Sequence, residues 1–234
     1  MFIQKSRRLC IFAFVCCAIN VYAGDVASFT DLGFSENGKY YAFAQYGVEE
    51  STLLPWAELY IVDVAANDFV KGGKLSYKHI KEIEAGQDGS GALYRLLTEH
   101  TALAGSYGIN FLRQGIPLFI SLENGQKADG DSVEYRDFEN DAAYTARLKP
   151  VIRGTAGSLT SSFIISLERC VGSSTANYTV GTPEIRRALV TTYTIKRVLI
   201  SPDRKSMVFV IEMTKTKNEN EAPNIRYMVE TVRF

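Results

Sequence analysis

Cys170, His79 and His100 are the residues beyond position 23 whose side chains could support covalent chemistry. A thiol nucleophile needs a base within hydrogen-bond reach and a third group to orient that base. The three residues are far apart in sequence, so only folding could join them, and a lone cysteine is expected as a small buried hydrophobe. Two histidines without a second ligand at metal spacing give no basis for a zinc site. Asp129, Asp131 and Glu134 place three carboxylates in a short segment that could offer oxygens to a hard cation. The glycine and distal glutamate of an EF-hand are missing, so a solvated acidic turn is the expectation. Glu49, Glu58, Asp63 and Asp68 are the acids a two-carboxylate mechanism would draw on, but sequence supplies no distances between them and none is nominated. No Gly-x-Ser-x-Gly elbow, phosphate-binding loop or dinucleotide fingerprint occurs. Sequence therefore assigns no catalytic, cofactor-binding or metal residue and implies no cofactor. The segment from Tyr46 to Trp56 reads as a loop carrying Tyr46, Leu53, Leu54 and Trp56 around Pro55. Tyr46 and Trp56 are its aromatic anchors if the protein binds a partner; otherwise these side chains cap a sheet end, which is the expectation favoured here.

Such residues need a scaffold, and composition narrows its type. The 234 residues are 46% hydrophobic and carry 26 basic against 26 acidic residues, with 13 Tyr and 13 Phe. That balance is globular rather than disordered, lacks the basic surplus of a nucleic-acid binder, and its aromatic loading suits strands.

At the N-terminus Lys5, Arg7 and Arg8 precede an uncharged apolar run from Leu9 to Ile19, and Val21-Tyr22-Ala23 follows. This order is that of a secretory signal peptide with cleavage before Gly24. The apolar run would span only ~16 Å as a helix, about half a bilayer core. Cys16 or Cys17 as a lipidated cysteine is the alternative, although the residues before them are not the small ones a lipoprotein box wants. Removal of residues 1–23 takes Cys10, Cys16 and Cys17 with it, so the mature fold must hold without an intrachain disulfide. It also leaves 23 basic against 26 acidic residues, a charge of −3. The expected organisation is a signal peptide over 1–23 and a single β-rich domain over 24–234, with no transmembrane segment after cleavage.

Two blocks near the ends echo each other. Ser35, Lys39 and Phe43 match Ser201, Lys205 and Phe209 at equal spacing, and each block is followed by a polar stretch and another apolar segment, Glu58–Val64 and Ile225–Val232. Asn37-Gly38 and Pro202-Asp203 are turn chemistry. Phe43 and Tyr41 share one strand face, Ala42 and Tyr40 the other. Between the blocks, Leu93, Leu96, Leu97 and His100 form a helical stripe over 90–104, with Ser90 as N-cap, Gly105 as stop, and His100 near the negative end of the helix dipole. Runs at 133–136, 144–148, 163–167 and 189–195 read as strands. Pro117 argues against a central ladder position, though Leu118–Leu122 can start a strand.

The Ser-x-(Asp/Asn)-x-Lys turn, apolar strand, loop and Tyr-x-Val-(Asp/Glu) pattern resembles blades of TolB-type β-propellers. Only two such patterns occur, so a complete propeller is not expected. The stretch from Phe29 to Val64, with Gly33-Phe34-Ser35, Ala42–Gly47 and Glu58–Asp63, together with Ile200–Asp203 and the final strands, is similar to a family of predicted secreted bacterial proteins of unknown function. That resemblance implies export and carries over no activity, cofactor or site residue. The expected fold is mainly β (α+β), built of antiparallel strands and hairpins with one main helix. The functional expectation is an exported periplasmic or secreted binding module for an envelope protein or small ligand. Its alternative is an exported hydrolase or other enzyme with a site assembled from dispersed residues.

Overall fold

The run from Tyr40 to Asp63 shows why this chain makes layered sheets. In the computed structural model, which describes residues 25–84, 86–122, 131–155, 157–216 and 222–234, β2 (Tyr40–Glu49) pairs antiparallel with β3 (Leu54–Asp63). Side chains alternate across a strand. Ala42, Ala44, Ala57, Leu59 and Ile61 therefore meet one core, while Tyr41, Phe43 and Val62 meet another. Both faces are apolar, so both must be covered.

Three antiparallel sheets result. Sheet I has the order β1-β2-β3-β4, with β1 (Ser28–Phe34) and β4 (Asp68–Lys78) at its edges. Sheet II contains β6 (Asp131–Asp137), β7 (Ala142–Arg153) and β8 (Thr160–Val171), with β9 (Ser174–Val180) and β10 (Arg187–Ala188) both paired to β8. Sheet III has the order β13-β12-β11-β5, formed by β13 (Asn224–Arg233), β12 (Ser206–Lys215), β11 (Val190–Ile200) and β5 (Ile116–Ile120). Helix α1 (Ser90–Ser106) lies on the outer face of sheet I through Ala92, Leu93 and Leu96. The opposite face of sheet I packs on sheet III through Phe34, Tyr41 and Phe43 against Val208 and Val210. The other face of sheet III packs on sheet II through Phe209 and Ile211 against Phe163, Ile165 and Leu167. The layers run helix, sheet I, sheet III, sheet II. Strand β12 is buried on both faces, which is why its sequence is a nearly continuous apolar run.

The two echoing blocks are hairpins in stacked, neighbouring sheets, and their turns match bond for bond. Ser35 Oγ donates to Asn37 Oδ1 at 2.8 Å and accepts the Tyr40 amide at 2.9 Å. Ser201 Oγ donates to Asp203 Oδ1 at 2.5 Å and accepts the Ser206 amide at 3.0 Å. The left-handed position falls on Gly38 (φ 65°) in one and Arg204 (φ 55°) in the other. Sheet I is a simple meander, whereas sheets II and III include non-consecutive neighbours, and among the described residues the sheets form an open stack, with no propeller and no closed barrel.

Local departures from the sequence reading have local causes. Helix α1 is capped by Gly89 rather than Ser90, whose hydroxyl turns back to Asp88. The helix passes Gly105 and stops where Gly108 takes φ 66°. Pro117 lies inside β5, which is tolerated because β5 is an edge strand. The strand of the 189–195 run starts at Val190, because Leu189 at φ 62° turns the chain from β10 of sheet II into β11 of sheet III. Residues 1–23, and with them the signal-peptide and lipidation readings, lie outside the described residues. No helix among the described residues is long and apolar enough to cross a membrane.

Candidate functional site

On the inner face of sheet I, beside the edge strand β13, the Trp56 end of β3 and the facing end of β4 are only partly buried. Strand alternation puts Trp56 and Glu58 on that face, and register brings Gly47 opposite Trp56, Ser76 opposite Glu58 and Lys78 opposite Trp56. The chain at Asp25 closes the other wall. It is pinned to β13 by the Ile225 amide donating to the Asp25 carbonyl at 2.9 Å and by the Asp25 amide donating to Asn224 Oδ1 at 2.8 Å. Between them is a cleft of about 250 Å³ lined by Asp25, Glu49, Trp56, Ala57, Glu58, Ser76, Tyr77, Lys78 and Arg226.

Arg226 organises the back of the cleft. Its guanidinium stacks 4.2 Å from the centre of the Trp56 ring and donates to Asp25 Oδ2 at 2.5 Å and to the carbonyls of Asp25 and Ile225 at 3.0 and 2.9 Å. A cation over an indole is stabilised by about 0.5–2 kcal/mol, more as water is excluded. The Asp25 and Arg226 side chains are 10% and 21% exposed, so this pair is largely withdrawn from solvent. At the mouth, Lys78 Nζ pairs with Glu49 at 2.5 Å. Hydrogen bonds from Lys78 and then Thr52 hold the Glu49 carboxyl below its ordinary value.

Glu58 receives two neutral donors on a single oxygen: Gln45 Nε2 at 2.7 Å and the Tyr60 hydroxyl at 2.8 Å both reach Oε2. Burial, and then the neighbouring Glu58 charge, push the Tyr60 hydroxyl well above its usual range. Lys215 lies nearby, half-buried, and its amine is held below the ordinary lysine value by burial and then by Arg226. The Glu58 charge pulls it the other way, although the two form no ion pair. Two buried atoms on the cleft walls have no partner among the described residues: Trp56 Nε1 and Asp25 Oδ1. A buried donor or acceptor left unmatched costs about 1–3 kcal/mol, so each calls for a partner from outside the fold, a water, an ion or a ligand group.

The structure separates most of the residues singled out by sequence. The Tyr46–Trp56 segment is no loop, because β2 runs to Glu49 and β3 starts at Leu54. Tyr46 faces the helix layer and Trp56 the inner face, so the two cannot form one contact. Trp56 is half-buried, and Gly47 leaves room for it: a Cβ there would lie 3.0 Å from the indole and 3.3 Å from Asp25 Oδ1. Cys170 is on β8 in sheet II, half-buried, with its thiol 3.5 Å from Thr175 Oγ1. His79 follows β4, accepting the Lys81 amide at Nδ1, and His100 sits at a kink in α1. Sheet III thus lies between the thiol and His79, and sheets I and III between the thiol and His100. Glu134 is an exposed residue of β6, whereas Asp129 lies outside the described residues. Asp63 and Asp68 close the β3–β4 hairpin away from the cleft. Sequence reasoning passed over Asp25, Gln45 and Arg226, whose roles come from contacts between segments up to 201 residues apart.

A family model described as Predicted secreted protein (DUF2259) matches residues 42–233. No curated protein and no solved structure matches the chain.

Proposed function

The chain belongs to this family of predicted secreted proteins, and from that premise we propose that it is an exported binding module of the bacterial envelope whose cleft beside Trp56 receives a small ligand or a partner's polar group. One observation carries the reading: a buried donor, Trp56 Nε1, and a buried acceptor, Asp25 Oδ1, stand unmatched on the walls of one cleft. Rigid strands hold both, and Arg226 fixes the carboxylate and the ring at once. Binding rather than catalysis is favoured by where the perturbed acids lie. Asp31 and Glu230, the carboxyls raised chiefly by burial, are outside the cleft, and hydrogen bonds within the fold occupy them.

Export is part of the proposal, with processing before Gly24 into the periplasm or the medium and a single domain over 24–234. N-terminal sequencing of native protein is expected to begin at Gly24; an intact Met1, or a modified Cys16 or Cys17 at the start, would count against it. For binding, affinity capture of the mature protein from envelope extracts, read by mass spectrometry for proteins and small molecules, is expected to retain a ligand. Ser76→Trp, at an exposed position on the cleft wall, should fill the cleft and abolish retention while the thermal midpoint stays unchanged. Retention that survives this substitution would place the contact elsewhere.

A further inference from the structure

We propose that the cleft is selective for a compact ligand bearing a primary ammonium group, an inference that rests on reading the cleft as a binding site. The argument is a count of unused hydrogen-bonding atoms. Asp25 uses Oδ2 on Arg226 and leaves Oδ1 buried and unmatched. Glu58 uses Oε2 on two neutral donors and leaves Oε1 without a hydrogen bond among the described residues. Against these two carboxylate oxygens stands one neutral donor, Trp56 Nε1.

Charge leads to the same conclusion. Asp25 is balanced by Arg226 and Glu49 by Lys78, whereas Glu58 forms no ion pair among the described residues and interacts with Lys215 only at longer range. The lining residues therefore sum to one net negative charge, and three of the five N–H donors of Arg226 are committed to Asp25 and the backbone. A carboxylate or phosphate ligand would meet no unpaired cation on the lining, Lys215 not being one of its residues. An ammonium brings three donors, enough for both free oxygens, and one acceptor elsewhere on the ligand can take the indole N–H. The volume, about 250 Å³, is below the usual range of drug-sized sites, so the ligand is small.

Trp56, the only tryptophan in the chain, supplies the readout. Its emission would be followed in the mature protein at about pH 6.5, where amines are protonated. Glucosamine, glucose and glucuronate present ammonium, hydroxyl and carboxylate on one scaffold, while cadaverine separates an alkyl amine from an amino sugar. A saturable change is expected with glucosamine or cadaverine, at least about tenfold tighter than with glucose and absent with glucuronate. Glu58→Gln is expected to weaken the amine by about tenfold while leaving the thermal midpoint in place. Equal or tighter binding of glucose or glucuronate would overturn the ammonium assignment and leave the cleft standing as a binding site. Silence with every probe would also overturn the assignment, and ligand capture with and without Ser76→Trp would then decide whether the cleft binds at all.

Discussion

Glu230 shows how one side chain can tie three layers together. It projects from β13 with 4% exposure, accepts Asn67 Nδ2 from the sheet I side at 2.5 Å, and faces Arg187 of sheet II at 3.4 Å. Burial is the largest influence on its carboxyl and raises it above the ordinary value, with Asn67 and Arg187 pulling the other way. A carboxyl raised on folding contributes stability that is fully present below its unfolded value of about 4.3 and is lost as pH rises through the folded value. Glu230→Gln is therefore expected to remove this dependence. Urea unfolding between about pH 4 and 7 should fall less steeply with pH in the variant than in the wild type. A parallel pair of curves would mean that Glu230 is ionised at no cost. Asp137 works in the opposite sense: burial opposes its charge, but Asn140, Arg204 and the Glu139 amide outweigh it and hold the carboxyl low.

At the scale of elements, the matched turns are the most testable feature. In each, a serine hydroxyl takes a strand amide that has no alternative partner, Tyr40 N in one and Ser206 N in the other. Ser35→Ala and Ser201→Ala should each cost about 1–3 kcal/mol, the penalty of an unmatched buried donor. Similar losses in chemical denaturation would establish the turns as equivalent, whereas a loss below about 0.5 kcal/mol in either would show that water replaces the hydroxyl there. The turns also touch: Arg233 donates to the Gly38 carbonyl at 3.2 Å and to Ser206 Oγ at 2.9 Å. Strand β13 is guarded in a related way. Its outward amides at Ile225, Tyr227 and Thr231 donate to the Asp25 carbonyl, Gln45 Oε1 and Asn67 Oδ1, so this edge offers little to another chain.

For the molecule as a whole, the position of sheet III between the other two implies cooperative unfolding. Phe209 and Val210 are adjacent, fully buried, and point into different cores. Phe209→Ala is expected to cost about 3–5 kcal/mol. Because the two cores share β12, the loss should appear equally in Trp56 emission, which reports sheet I, and in far-ultraviolet circular dichroism, which reports all strands. Separate transitions would mean that the layers fold as independent units. The open stack also explains the cleft. Where the inner face of sheet I is only partly buried beside β13, it carries Glu58 and Lys78 next to Trp56.

Much of the fold was legible locally. Alternation around Tyr41 and Phe43 fixed which faces must be buried, Asn37-Gly38 and Pro202-Asp203 marked the turns, and the Leu93, Leu96, Leu97 stripe marked the helix, because each depends on neighbours a few residues away. The Ser-x-(Asn/Asp)-x-Lys echo extended this to a pair of like hairpins, and the family resemblance pointed to export. The extent of the Tyr46–Trp56 hairpin was not legible, since strand length there depends on pairing with β4 and on Trp56 covering Gly47. The cleft was hidden for the same reason. Asp25 and Arg226 are separated by 201 positions, and nothing in either residue's surroundings along the chain indicates the other. Composition and periodicity determined that this protein would be a β-sheet structure with one helix. The stacking of sheet III beneath sheet I decided which polar groups would be buried, which would find partners, and which two on the cleft walls would be buried without one.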